Sequence, residues 1–201
     1  MSGYYSKMYY FHLFLYSLVP LMDRHPLRAS IPVLPGFGQA VRVAASLNIP
    51  VILNIGQPTS EEVDELIQVL EYYLHDPTCK VSIECFHSLL VSLHQKDETT
   101  IWDIQEDAPD FSVWIDNDGV ESPVRSSSLW CSDWDVVVTY EHILTTLSQE
   151  SVECRNCAHL QRCAGYLKCP DPEYSCESVK VLLDRIFEAA EELASDLAGY
   201  K

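Results

Sequence analysis

Four short apolar runs mark the first part of the chain: Ser30–Leu34 (SIPVL), Ile49–Ile55 (IPVILNI), Lys80–Phe86 (KVSIECF) and Phe111–Asp116 (FSVWID). The first three are rich in β-branched residues and continuous rather than alternating. That pattern predicts parallel strands buried on both faces. Helical periods lie between them, at Phe37–Leu47 and Thr59–Leu74. In the second, Val63, Leu66, Ile67, Leu70 and Leu74 fall on one face. Thr59 or Ser60 stands where an N-cap is needed, and Glu61, Glu62 and Asp64 suit the positive end of the helix dipole. Strand, helix, strand, helix, strand predicts βαβ units on a parallel sheet, with too few units for a closed eight-stranded barrel. The fold class expected is therefore α/β, a partial (half) βα barrel or a small parallel sheet.

The pattern changes after residue 96. Lys96–Pro109 (KDETTIWDIQEDAP) is acidic and without a sustained period, which reads as a surface linker. Trp114–Val120 contains Asp116-Asn117-Asp118-Gly119 and reads as a hairpin turn. A calcium loop is excluded there because the remaining ligands are not at the required offsets. The apolar Val136–Val138 and a short helix around Tyr140–Leu147 follow. The chain closes on a long amphipathic helix, Ser178–Ala198, with Val179, Leu182, Leu183, Ile186, Phe187, Ala190, Leu193 and Leu197 on one stripe. At the other end, Met8–Met22 is apolar and aromatic but shorter than the ~20 residues of a bilayer span. It reads as a buried first helix. Three regions result: a partial α/β domain over 1–96, an acidic linker over 97–110 and a cysteine-rich domain over 111–201.

Charge narrows the partners. Asp and Glu number 30 against 13 Lys and Arg among 201 residues, a formal net charge of −17. Such a surface repels phosphate backbones and anionic lipid, so nucleic acid and membrane are not expected partners. The composition suits a soluble chain, expected in the cytoplasm.

Cysteine placement adds the chemistry. Of eight cysteines, Cys79, Cys85 and Cys131 are scattered, while Cys154, Cys157, Cys163, Cys169 and Cys176 lie in one segment. A chain with an ordinary core has little need of disulfide staples, and the clustering favours metal ligation in a reducing compartment. Cys154 and Cys157, separated by two residues, can turn both thiolates to one centre, and Cys163 can join them from the start of a following helix or loop. Four thiolates suit zinc or an iron–sulfur cluster. Zinc knuckles use two short pairs. Here there is one, followed by spacings of five, five and six residues, which favours iron–sulfur. A redox-active Cys154–Cys157 pair is disfavoured because no strand–helix junction precedes it.

The run CxxCxxxxxC at Cys154, Cys157 and Cys163, with a glycine at Gly165 and a later cysteine at Cys176, resembles the SPASM domain. That domain is the auxiliary-cluster extension of radical S-adenosylmethionine enzymes, many of which mature ribosomal peptides. The resemblance implies that Cys154, Cys157, Cys163 and Cys176 hold one 4Fe–4S cluster. Cys169, Cys131 and His159 are the alternative ligands, and zinc is the alternative metal. The hairpin WIDNDGV is similar to the family's segment before its first auxiliary cluster, but Ser122 and Pro123 stand where a cysteine usually follows. Leu167 stands where a further motif cysteine is usual. Upstream, RASIPVLPGF and IPVILNIGQPTSEEVDELIQVL are similar to late strands and a helix of the radical enzymes' partial barrel. The CxxxCxxC loop that binds the S-adenosylmethionine-cleaving cluster does not occur in this sequence. The resemblance thus implies an accessory iron–sulfur protein of a peptide-modifying system. It would act with a partner enzyme or radical enzyme, and with a precursor peptide, in electron transfer, substrate binding or scaffolding. The alternatives are a zinc-binding structural protein and a subunit of a metal-dependent peptide-modifying enzyme.

Lesser signals have plainer readings. Gly36-Phe-Gly38 opens a helix after a strand, but Val41 stands where a dinucleotide fingerprint has its third glycine, so a turn is expected. His87 and His94, with Glu84 and Cys85 nearby, could form a site at the mouth of the sheet. Exposed or hydrogen-bonded histidines explain them at least as well. Trp130, Trp134 and Tyr140 read as core or interface aromatics, and Ser126–Ser128 lack the neighbours of a hydrolase.

Overall fold

The computed structural model describes residues 27–105, 114–115, 121–122, 145, 147, 151–168 and 171–199. The expected helix at 8–22, the segment at 136–138, most of the helix at 140–147, Cys131 and Cys169 lie outside these residues. The chain is a mixed α/β structure. Strands β1 (Ala29–Pro32), β2 (Val51–Asn54) and β3 (Ile83–Glu84) form a parallel sheet in the order β1-β2-β3. Ala29 pairs with Val51, and Val51 with Ile83. Helices α1 (Phe37–Ser46) and α2 (Ser60–His75) make the two crossovers and pack on each other. Right-handed crossovers in sequential order place both on one face of the sheet.

Local chemistry sets the boundaries of these elements. Thr59 caps α2 in a capping box: its hydroxyl accepts from the Glu62 N–H, and the Glu62 carboxylate accepts from the Thr59 N–H at 2.7 Å. The turn before α1 is held from α2. Glu65 accepts the N–H of Gly36 and the N–H of Gly38, each at 2.9 Å. The N–H groups that a phosphate loop would offer are thus taken by the chain's own carboxylate, and the expected turn is what forms. Gly36 has φ +87°, and a Cβ on Gly38 would lie 3.0 Å from Glu65 Oε1 and 3.1 Å from Val69 Cγ2.

Two expectations are corrected. The strands are not buried on both faces. Ala29, Ile31, Val51, Leu53 and Ile83 are buried on the helix side, while Ser30 and Pro32 are exposed and Ile52, Asn54 and Glu84 half-exposed. β-branched continuity registered the strands but not which side was covered. The stretch 96–109 is not wholly a surface linker either. A one-turn helix α4 (Ile101–Ile104), capped by Thr100 and Asp103, buries Ile101, Trp102 and Ile104. Gln105 then continues the sheet with its side chain. Its Oε1 accepts from the Ile55 N–H at 3.0 Å, and its Nε2 donates to the Leu53 carbonyl at 2.9 Å. The Leu53 carbonyl of β2 and the Ile55 N–H just beyond it lie past the end of the short β3 pairing, where buried backbone must still find partners.

The sequence reading assigned no helix after β3. Helix α3 (Phe86–Gln95) starts there, directly after Cys85 at φ +74°. Strands β4 (Trp114–Ile115) and β5 (Glu121–Ser122) pair antiparallel, as the hairpin reading requires. The C-terminal helix α7 (Glu177–Gly199) packs on α2 and α3 with Val179, Leu182, Leu183, Ile186, Ala189 and Ala190 buried. Leu193 and Leu197, on the expected stripe, are exposed. Among the described residues no helix is long and apolar enough to cross a membrane.

Gln105→Leu removes the side-chain partners of both groups while keeping an apolar body of similar size. Each buried group left unpaired costs about 1–3 kcal/mol. Chemical denaturation should therefore give a loss of about 2 kcal/mol or more, and a loss under about 0.5 kcal/mol would exclude this role for Gln105.

Candidate metal centre

The cysteine segment has little regular structure of its own. A one-turn helix α5 (Val152–Arg155) carries Cys154 and is capped by Ser151. A turn follows in which the Cys157 N–H donates to the Cys154 carbonyl at 3.1 Å. A second one-turn helix, α6 (Leu160–Cys163), ends on Cys163, so this cysteine comes from the end of a helix, not its start. Ala164 and Gly165 then take positive φ, reversing the chain into a 3-10 turn at Tyr166–Lys168. Cys176 sits immediately before α7.

This segment is held in place by the α/β layer. The Trp102 indole N–H donates to the Ala164 carbonyl at 3.1 Å, and its ring meets Tyr166 edge-on at 4.9 Å. Arg162 donates to Ser92 Oγ at 2.6 Å and to the Thr99 carbonyl at 3.1 Å. The Gln57 amide donates to the Leu167 carbonyl at 3.0 Å and to the Asp171 carbonyl at 2.9 Å. The Tyr174 hydroxyl donates to the Pro58 carbonyl.

The result brings four cysteines together. Cys154, Cys157, Cys163 and Cys176 line one small cavity, about 20 Å³, partly open to solvent. Leu160, Leu167 and Leu183 supply its apolar wall. Leu167, where the SPASM pattern has a further cysteine, is part of that wall. Cys157 is half-buried and the other three cysteines are buried. All six described cysteines are free of disulfides. No group of three or more His, Cys, Asp and Glu residues among the described residues is already drawn together to hold one ion.

Electrostatics at the cavity run against the acidic character of the chain. Lys168 and Lys180 both line it. Glu153 joins them, 2.7 Å from each Nζ, and accepts the Cys176 N–H at 3.3 Å. The Lys168 side chain is only 5% exposed and also donates to the Tyr174 carbonyl. Burial opposes ionisation of Glu153, but hydrogen bonds from Lys168 and Lys180 outweigh it and bring its pKa down to about 2. Burial pushes the Cys163 thiol up to about 11, and the neighbouring Cys154 and Cys157 add to this. Burial pushes Cys176 up to about 12, with Lys168 acting in the opposite direction. Without a metal these two groups are thiols. A bound metal is what makes such thiols ionise.

Of the alternative ligands, His159 lines the same cavity, while Cys131 and Cys169 lie outside the described residues. Cys79 and Cys85 do not line it. Cys85 is buried at the β3–α3 junction, and Cys79 is half-buried with its thiol toward the Val81 carbonyl at 3.8 Å. His87 and His94 form no joint site: His87 Nδ1 bonds the Tyr73 hydroxyl at 2.8 Å, and both histidines are exposed. The roles of Glu153, Lys168 and Asp184 had no local signal in the sequence, because their partners lie 15 to 27 residues away. Comparison with protein families, curated proteins and solved structures finds no match.

Glu153→Gln leaves the buried Lys168 ammonium without its counter-charge. Hydrogen bonds to charged groups are worth about 1.5–3 kcal/mol, so the variant should lose about that much in chemical denaturation. Restoring most of the loss with the double variant Glu153→Gln/Lys168→Met would identify the stranded charge as the cause. No loss in the single variant would exclude it.

Proposed function

We propose that the chain is an accessory iron–sulfur protein in which Cys154, Cys157, Cys163 and Cys176 hold one 4Fe–4S cluster. The observation that carries this is the placement of those four side chains around one apolar-walled cavity. A lone zinc ion draws four sulfurs to about 2.3 Å from one point. A cluster keeps its cysteines apart around an inorganic body. The cysteine spacing, one short pair followed by longer gaps, favours the cluster over the lone ion. A cluster with four thiolates is a net anion, and Lys168 and Lys180 are the cations that would face it. The half-buried Cys157 keeps the centre within a side chain's depth of solvent, which electron exchange with a second protein requires. When bound, the cluster supplies one-electron chemistry, while the chain's own residues hold it, shield it from water and offset its charge.

The resemblance of the cysteine segment to SPASM domains supports a role for this chemistry in a peptide-modifying system, with a separate enzyme and its precursor peptide as partners. Helices on one face of β1-β2-β3 and half-exposed residues on the other suit one wall of a partial βα barrel. On this reading the chain works in a complex, and its open sheet face is where a further layer belongs.

Cys154→Ser, Cys163→Ser and Cys176→Ser should each lower iron and sulfide content by more than half in anaerobically purified protein. Full content in all three would remove the assignment. The reconstituted chain alone, reduced and given S-adenosylmethionine, should release no 5′-deoxyadenosine, because it lacks CxxxCxxC. Release of that product would make the chain an enzyme in its own right. Light scattering of the chain with the products of adjacent genes should give a complex. A monomer that binds none of them would contradict the accessory role.

A further inference from the structure

One side chain on the cavity wall is left over by the four-cysteine set. His159 is buried and lines the cavity beside the cysteines. Two residues of α7 fix its ring: Phe187 meets it edge-on at 5.2 Å, and Asp184 Oδ1 stands 2.8 Å from its Nε2. A carboxylate oxygen only accepts, so the Nε2 position carries a proton. In the neutral ring Nδ1 then carries the lone pair. That nitrogen is buried and has no hydrogen-bond partner among the described residues, the one side-chain nitrogen or oxygen there of which this is true. Buried polar atoms are normally paired. Once the surrounding thiols have released their protons to solvent on binding a metal, they have nothing to donate to Nδ1. A metal ion can take its lone pair. A carboxylate holding the far nitrogen of a ligating histidine is the usual support for such a bond.

Resting on the reading of the cavity as a metal centre, we propose that His159, oriented by Asp184, is a fifth donor that competes with Cys157 for the fourth ligand position. Cys157 is the one member of the cysteine set that is not fully buried. It lies two residues before His159 on the same turn, where the Leu160 N–H donates to the Cys157 carbonyl. Exchange between these two donors therefore asks for the least rearrangement. Cys154, Cys163 and Cys176 remain the fixed ligands.

The test compares Cys157→Ser with Cys154→Ser in the full chain, loaded anaerobically with ferrous iron and sulfide, or with zinc alone. Cys157→Ser should keep most of its metal, whereas Cys154→Ser should lose it. Histidine nitrogen should appear in the shell of the Cys157→Ser centre. For iron this is strong hyperfine coupling in pulsed electron paramagnetic resonance; for zinc it is a nitrogen shell at about 2.0–2.1 Å in X-ray absorption. Adding His159→Gln should abolish both the retention and the nitrogen signal. Adding Asp184→Asn, at a side chain 64% exposed, should weaken metal binding by about tenfold or more in the Cys157→Ser background. It should change little when Cys157 is present. Equal metal loss from Cys157→Ser and Cys154→Ser with no nitrogen in the shell would overturn the role of His159 and leave the cysteine centre standing. An imidazolium donating from Nδ1 to a thiolate would also give no nitrogen in the shell and count against the proposal. Failure of the wild-type chain to take up either metal would instead remove the centre itself.

Discussion

A segment built from one-turn helices cannot bury a core of its own, and the four cysteines sit on such a segment. Everything at the cavity depends on how residues 151–168 and 171–176 are gripped by the rest of the chain. The grip is polar where the sheet layer meets the segment: Trp102 to Ala164, Arg162 to Ser92 and Thr99, Gln57 to Leu167 and Asp171. It is apolar along α7, whose inward stripe packs on α2 and α3. Backbone carbonyls held by side chains from outside fix the path of a loop more tightly than apolar contact alone, because each lost partner strands a buried group. The positions of Cys154, Cys157, Cys163 and Cys176 thus depend on residues far from them in sequence.

Charge is the second consequence. The chain carries a net charge of −17, yet two lysines face the cavity, bridged by Glu153. One of them is almost wholly buried. Burying an ammonium is costly unless it is paired. Here the pairing is with one carboxylate shared between two cations, an excess of positive charge directed at four sulfurs. That arrangement has little value for a cavity lined by neutral thiols and considerable value for one holding an anionic metal–thiolate centre.

How much of this was legible in the sequence varies with the range of the interactions. Helices α1, α2 and α7 fall within a residue or so of the expected bounds because their signals are local: a capping box at Thr59–Glu62, an apolar stripe, and a glycine turn before α1. The start of α3 was hidden because Lys80–Phe86 reads as one apolar run, whereas the chain turns at Cys85 from strand to helix through a positive φ. The acidic stretch 96–109 concealed a buried turn. Its capping residues Thr100 and Asp103 and three large apolar residues in four positions were the available signal, outweighed by the charges around them. The side-chain extension of the sheet by Gln105 is a tertiary event with no pattern to read. At the cavity, spacing pointed to Cys154, Cys157 and Cys163 and the SPASM resemblance to Cys176, and all four line it; Lys168, Glu153 and the Asp184–His159 pair had no such signal. The alternation of burial on the strands shows the converse error: continuity of β-branched residues fixes a strand but does not say that both sides are covered.

The account rests on a single claim, that the four-cysteine cavity holds an iron–sulfur cluster. Mössbauer spectroscopy of the chain expressed with ⁵⁷Fe and purified anaerobically, with iron, sulfide and zinc quantified on the same sample, tests it most directly. The account predicts about four iron and four sulfide per chain, with one quadrupole doublet typical of a 4Fe–4S centre. One tightly held zinc with no iron, or no metal at all in folded protein, would contradict it.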